Sequence, residues 1–394
     1  MTPTCVLCAT PLTAENRSIE HVIPQAIGGR LKVDDFICRS CNNRTGTDWD
    51  AVLVSQFAWF SRSLDVQRER GEHPAIPITL TDGQRLTLNS DGRLTPKDPA
   101  LHRTDDGTVV SITARSMEDA KSILNGMKRK RPDVDVSKTL ASATPGHRYS
   151  EVPMHLSIRF GEPGPSASIV KTALAFAHLH GLPAPACDLA LEFLNDKGDR
   201  SAFRMQYARD LVEERPANRV THILGVHADP ISGIGIAYVE YFSFQRVIVI
   251  LTRSYVGPPI QVTYAMDPEK GEELTMIANL AMGSAQVDEL PTPERVNYAH
   301  MTAALNDALP IFIDRNEARH RGQIIDEAVA EGMAAAGASE GSVMTSAQQE
   351  VVLQHVNSAI AKRMVEQAYA SVAIDRVLAE MHREGAFGIG TQSS

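Results

Sequence analysis

The chain has 394 residues, 43% hydrophobic and 22% charged, with five cysteines and a net charge of −9. That composition describes an ordinary globular protein of two or three domains, and it excludes one that coats nucleic acid by bulk charge attraction. No apolar run reaches the roughly 18 residues that a membrane span needs, and Met1-Thr2-Pro3-Thr4-Cys5 lacks signal-peptide features, so a cytoplasmic location without membrane partners is expected.

Four cysteines form two Cys-x-x-Cys pairs, Cys5/Cys8 and Cys38/Cys41, separated by 29 residues. In a reducing compartment such pairs are zinc ligands rather than disulfides. Four thiolates close a tetrahedral Zn²⁺ cage with no open position, so this zinc is structural. For so small a module the metal supplies on the order of 10 kcal/mol of apparent binding free energy to folding. Between the pairs lie Glu20-His21-Val22-Ile23-Pro24 and a Gly28-Gly29 turn. A carboxylate beside a histidine can hold a second, catalytic metal and supply a base next to it. Residues 1–70 balance eight Lys plus Arg against eight Asp plus Glu, so the acidity lies elsewhere.

Further along, Thr47-Asp48-Trp49-Asp50 offers helix-capping groups, and Leu53, Phe57, Phe60 and Leu64 recur at helical spacing before Gly71-Glu72-His73-Pro74. Ile76–Leu80 and Arg85–Leu88 flank an Asp82-Gly83 turn and read as a hairpin. Asp91-Gly92 and Asp106-Gly107 read as turns, with a strand at Val109–Thr113 and a helix over 116–131. A strand at about 153–160 and a helix over about 166–180 follow. Residues 219–265 hold four strand-like runs spaced for an antiparallel meander. After about 270 the chain reads as helical to near 385, broken at Ala336–Gly341, with a frayed tail over 388–394. The expectation is an α+β protein of three consecutive parts: a zinc-bound domain over 1–70, a mixed α/β domain over 75–290, and a helical region over 291–394.

Glu20-His21-Val22-Ile23-Pro24-Gln25, Gly28-Gly29 and Cys38-Arg39-Ser40-Cys41-Asn42-Asn43-Arg44-Thr45-Gly46 together resemble the zinc-containing branch of the HNH endonucleases, over roughly residues 1–55. The resemblance implies a ββα-metal fold and metal-dependent hydrolysis of phosphodiester bonds, DNA being the favoured substrate. It implies His21 as general base, its imidazole having an unperturbed pKa of about 6.5. Glu20 and Asn42 match the metal ligands, and their oxygens suit Mg²⁺ or Mn²⁺. Such an ion would stabilise charge on the phosphorane and on the departing 3′ oxygen. The two neighbours Glu20 and His21 converge only through a local bend, since adjacent strand residues point to opposite faces.

One position departs from the family. Its middle Asn, about five residues before the third cysteine, is Val33 here, with Asp34, Asp35 or a backbone carbonyl as substitutes. Asn43 rivals Asn42, and Asp50 is a supporting candidate behind the ligands. Arg39 and Arg44 flank the site as phosphate contacts, and Lys128-Arg129-Lys130-Arg131 is a second basic run. His178 and His180 are two apart on a helix and point in different directions, and Cys187 reads as an inert thiol. Rival readings are a non-catalytic zinc ribbon that binds nucleic acid or protein, and a nuclease effector switched on through its C-terminal region by an activating ligand or a second copy.

Overall fold

A computed structural model of the chain describes residues 3–69, 71–90, 92–103, 105, 109–143, 150–156, 158–159, 161–196, 200–339 and 341–383. By compactness the chain divides into two units, each discontinuous in sequence: Met1–Glu72 with Ser157–Glu317, and His73–Leu156 with Ala318–Ser394. Helices and antiparallel sheets alternate throughout, an α+β architecture. No helix among the described residues is long and apolar enough to cross a membrane. Asp91, the Asp106-Gly107 turn and the 388–394 tail lie outside the described residues.

In the first unit, β1 (Arg17–His21) and β2 (Lys32–Cys38) form an antiparallel hairpin. The connection turns back at Gly28 and Gly29. Gly28 has φ 104°, and a Cβ on Gly29 would lie 1.9 Å from the Ile23 carbonyl oxygen, so the turn requires glycine. The chain then enters α1 (Arg39–Thr45) directly from the second cysteine pair. Cys38 is the N-cap, its Sγ accepting from the Cys41 amide at 3.5 Å. The helix thus starts eight residues before the expected Thr47 cap, because the Cys-x-x-Cys knuckle itself caps it (47 − 39 = 8). Residues Gly46–Asp50 continue as one wide π-type turn into α2 (Ala51–Gln56) and then α3 (Ala58–Ser63).

Behind this hairpin and helix stand α4 (Pro163–Leu179), α5 (Asp188–Leu194) and a six-stranded antiparallel sheet. Its strands are β3 (Phe203–Met205), β4 (His222–Asp229), β5 (Ile234–Tyr241), β6 (Gln245–Thr252), β7 (Ile260–Asp267) and β8 (Glu272–Leu274). Across the sheet the order is β8-β7-β4-β5-β6-β3. The first three long strands form the expected meander, but β7 returns to pair with β4 instead of β6, the order of a Greek key. Both faces of β5 are buried, so the sheet is a covered central layer.

One face packs on α4 and the N-terminal module. There Leu53, Phe57, Phe60 and Leu64, the stripe legible in sequence, are buried against Tyr241, Phe242, Phe244 and Phe312. The other face carries Ile223, Ile236, Tyr238, Ile248 and Ile250 under Ala278 and Leu280. A Cβ on Gly225 would lie 2.7 Å from Leu280 Cδ1, so this strand needs glycine for that approach.

The second unit holds a four-stranded antiparallel sheet built around the expected hairpin of Ile76–Leu80 and Arg85–Leu88, with Leu94–Pro96 beside one strand and Met154–His155 beside the other. A two-stranded ladder joins Ala100–Arg103 to Val109–Thr113. The helix Met117–Lys130 begins at Ser116, whose hydroxyl accepts from the Asp119 amide at 3.1 Å. Two long helices, the end of Tyr298–Ala335 and Ser346–Arg383, approach closely where a Cβ on Gly332 would meet Val352 Cα at 2.9 Å. The strand expected at about 153–160 contracts to Met154–His155, with Ser157 and Phe160 outside the described residues.

Candidate active site

The cysteines come together first. The knuckle at Cys5–Ala9 is tightened by the Ala9 amide donating to the Cys5 carbonyl and by Ala9 at φ 57°. The amide of Val6 donates to Phe36 of β2, which docks the knuckle on the hairpin beside Cys38. The sulfurs of Cys5, Cys8, Cys38 and Cys41 all lie within 4.8 Å of one another. Cys8 Sγ and Cys38 Sγ are 3.8 Å apart. Tetrahedral Zn–S bonds of about 2.3 Å put sulfurs roughly 3.8 Å from each other, so the donor set fits zinc in number, chemistry and spacing. Such an ion ties the N-terminal knuckle to the start of α1.

Glu20 and His21 part company. In the hairpin register Glu20 faces Val33 and His21 faces Lys32, so the two side chains leave on opposite faces. The one irregularity lies between Ser18 and Glu20, ahead of the pair, and supplies no bend between them. Convergence of the imidazole with the Glu20 carboxylate is therefore not found here. On its own face His21 Nε2 is 3.4 Å from Glu69 Oε1, and Lys32 Nζ is 2.9 Å from the same oxygen. Burial, with Lys32 and Arg30 nearby, outweighs Glu69 and holds the imidazole pKa below its ordinary value. A neutral imidazole at neutral pH can accept a proton. Glu69 is an imidazole partner that sequence reasoning missed. The substitutes considered for the absent middle Asn point elsewhere: Asp34 is 3.9 Å from Arg17, and Asp35 is 3.4 Å from His178 Nε2. Val33 itself is core.

Glu20 and Asn42 do come together. The Asn42 side chain reaches the Glu20 carboxylate and favours its charge, while its Nδ2 donates to Ser18 Oγ at 2.9 Å. Asn43 is exposed on α1. The Glu20 carboxylate, however, already has a cation. Lys171 of α4 places its Nζ 2.6 Å from Glu20 Oε1, 2.5 Å from Asp50 Oδ2 and 3.4 Å from Thr45 Oγ1. Asp50 also accepts from Ser168 Oγ at 2.6 Å. Glu20 is 5% exposed and Lys171 2%. Burial raises the Glu20 pKa against the pull of Lys171 and Asn42. Burial also disfavours the ammonium, but Asp50 and Glu20 outweigh it and hold the Lys171 pKa above its ordinary value. A divalent ion on Glu20 does not fit beside this ammonium. The signal for Lys171 was in the sequence: it is the one charged residue in Ala167-Ser168-Ile169-Val170-Lys171-Thr172-Ala173-Leu174-Ala175-Phe176-Ala177, and a lone Lys in an apolar helix calls for a buried counter-charge.

Of the remaining candidates, Arg39 and Arg44 are exposed on α1. Lys128, Arg129 and Lys130 are exposed at the end of a helix in the second unit, and Arg131 pairs with Asp133. His178 accepts from the Ala184 amide through Nδ1, and His180 packs on Phe176, so they share no ligand position. Cys187 is buried and its thiol is pushed up to about 12, an inert group.

No curated protein and no solved structure matches this chain. Residues 5–58 match the family model described as HNH endonuclease, and it is this segment, with its four cysteines placed to hold a metal ion, that carries the family's signature.

Proposed function

We propose that the chain hydrolyses phosphodiester bonds, most readily those of DNA, through its zinc-held N-terminal segment, with His21 as the general base. The observation that carries this reading is the match of residues 5–58 to HNH endonucleases in a hairpin and helix closed by four convergent thiols. His21 supports it further: the imidazole is part-exposed, its pKa is lowered, and Glu69 lies at hydrogen-bond distance to orient it. A base so held removes a proton from the water that attacks phosphorus, and Arg39 and Arg44 supply exposed positive charge for the phosphate. The reading carries with it a Mg²⁺ or Mn²⁺ ion on Glu20 and Asn42, whose hard oxygens such an ion prefers. With Glu20 committed to Lys171 that ion does not fit, and no step is drawn through it.

The same ion pair favours the rival reading of a zinc module that binds nucleic acid or protein without cutting. Incubation of zinc-loaded protein with supercoiled plasmid and Mn²⁺ separates them. Cleavage by the parent or by Lys171→Met, lost by about 100-fold or more in His21→Ala with zinc content unchanged, supports the nuclease. Absence of cutting by both proteins would count against this reading and favour the binding module.

A further inference from the structure

The position occupied by Lys171 has a consequence for the site. Glu20 and Asn42 sit together at the place where the family resemblance puts a divalent cation, and two more oxygen groups, Asp50 and Thr45, close around the same point. The group at their centre is an ammonium carried on α4, more than a hundred residues away in sequence (171 − 20 = 151). Lysine nitrogens are rarely buried this deeply unless they answer fixed negative charge. Here two carboxylates answer one ammonium, leaving the cluster with one net negative charge when both are ionised. A site with that surplus suits a doubly charged ion better than a singly charged one. Phosphate has no route to Lys171 in this arrangement, since Glu20 and Lys171 are both buried, so the ammonium cannot itself serve as the electrophile for substrate.

Resting on the nuclease reading for the identity of the ligands, we propose that Lys171 excludes the divalent cation: its ammonium fills the centre of the Glu20–Asn42–Asp50 group, and that group takes a Mg²⁺- or Mn²⁺-class ion only once the ammonium is removed. The domain is held silent toward metal by its own α4 and not by loss of the ligands.

The test is metal binding, read without any cleavage assay. Zinc-loaded full-length protein is titrated with Mn²⁺, free Mn²⁺ being followed by electron paramagnetic resonance and stability by thermal melting. The parent and Lys171→Arg, which keeps the cation, bind no Mn²⁺ through Glu20, and Mn²⁺ leaves their melting temperatures unmoved. Lys171→Met leaves the carboxylates without a cation. It binds one Mn²⁺ at least about tenfold more tightly than the parent, and its melting temperature rises by several degrees on adding the ion. Adding Glu20→Gln to Lys171→Met removes both effects. Should Lys171→Met be unfolded alone, its refolding by Mn²⁺ is the expected result. A parent that takes up Mn²⁺ through Glu20 as tightly as the variant overturns the proposal, as does a folded Lys171→Met that takes up none or an unfolded one that Mn²⁺ does not restore. Failure of the nuclease reading shows instead as Mn²⁺ uptake by Lys171→Met with no cutting by either protein.

Discussion

At the scale of single residues, the histidines of this chain illustrate how differently one side chain can be used. His21 lies part-exposed beside Glu69 and Lys32, where it can exchange protons with solvent. His222 is fully buried: its Nε2–H donates to the Ile27 carbonyl at 2.7 Å, and its Nδ1 accepts from the Phe242 amide at 3.0 Å. Those two bonds fix one neutral tautomer and tie the turn after β1 to the central sheet. They also hold Phe242, whose φ of 54° is an unusual backbone state for a bulky residue. Burial depresses the His222 pKa to about 4, from an ordinary value of 6.5. The unfolded chain therefore binds the extra proton first, and the stability contributed by neutral His222 is complete above about pH 6.5 and is lost as pH falls toward 4. Denaturant melts across that window should show the decline. In His222→Leu the decline should flatten, with a loss of about 1–3 kcal/mol at neutral pH because the Ile27 carbonyl is left unpaired. Glu20 and Asn42 were legible as a pair because the family motif places them. Lys171 stands out in the sequence as a lone charge in an apolar helix, but its partners do not, because helical periodicity carries no information about which distant carboxylate a buried ammonium will meet.

Among the elements, the two that matter most to the site are the hairpin with α1, closed by the cysteines, and the aromatic seam that docks it. Phe60 lies 4.8 Å from Phe244 and 5.0 Å from Phe312, ring centre to ring centre, and Phe57 lies 5.1 Å from Phe242. Phe60→Ala should cost about 3–5 kcal/mol in denaturant unfolding while leaving zinc content at one ion per chain, since it removes none of the four thiols. Cys38→Ser removes a ligand and the N-cap of α1 together, so it should abolish stoichiometric zinc and unfold the N-terminal segment, visible as lost amide protection over residues 5–58. The apolar stripe Leu53, Phe57, Phe60 and Leu64 could be read from period alone. The start of α1 could not, because the hydroxyl and carboxylates of Thr47, Asp48 and Asp50 are the usual capping groups, whereas the sulfur of Cys38 caps this helix. The order of the long strands was likewise beyond local pattern: β7 reads as the next strand of a meander, and only tertiary packing carries it across to β4.

For the molecule as a whole, the first unit joins the N-terminal segment to residues 157–317 in one continuous core. The segment with the HNH signature is therefore not an appendage on a flexible tether. Its Glu20 is answered by α4, its Ile27 by β4, and its Phe57 and Phe60 by the sheet. A linear reading separates a domain at 1–70 from one at 75–290 because Gly71-Glu72-His73-Pro74 ends a helix and a strand pattern follows, whereas compactness groups residues 1–72 with 157–317. The same integration gives the central claim its test. Zinc-loaded parent, Lys171→Met and the His21→Ala form of each are incubated with supercoiled plasmid and Mn²⁺, and nicked and linear products are quantified. The account predicts cutting by Lys171→Met that exceeds the parent and falls by about 100-fold or more when His21 is replaced. Plasmid left intact by every protein, or cut equally well without His21, would contradict it.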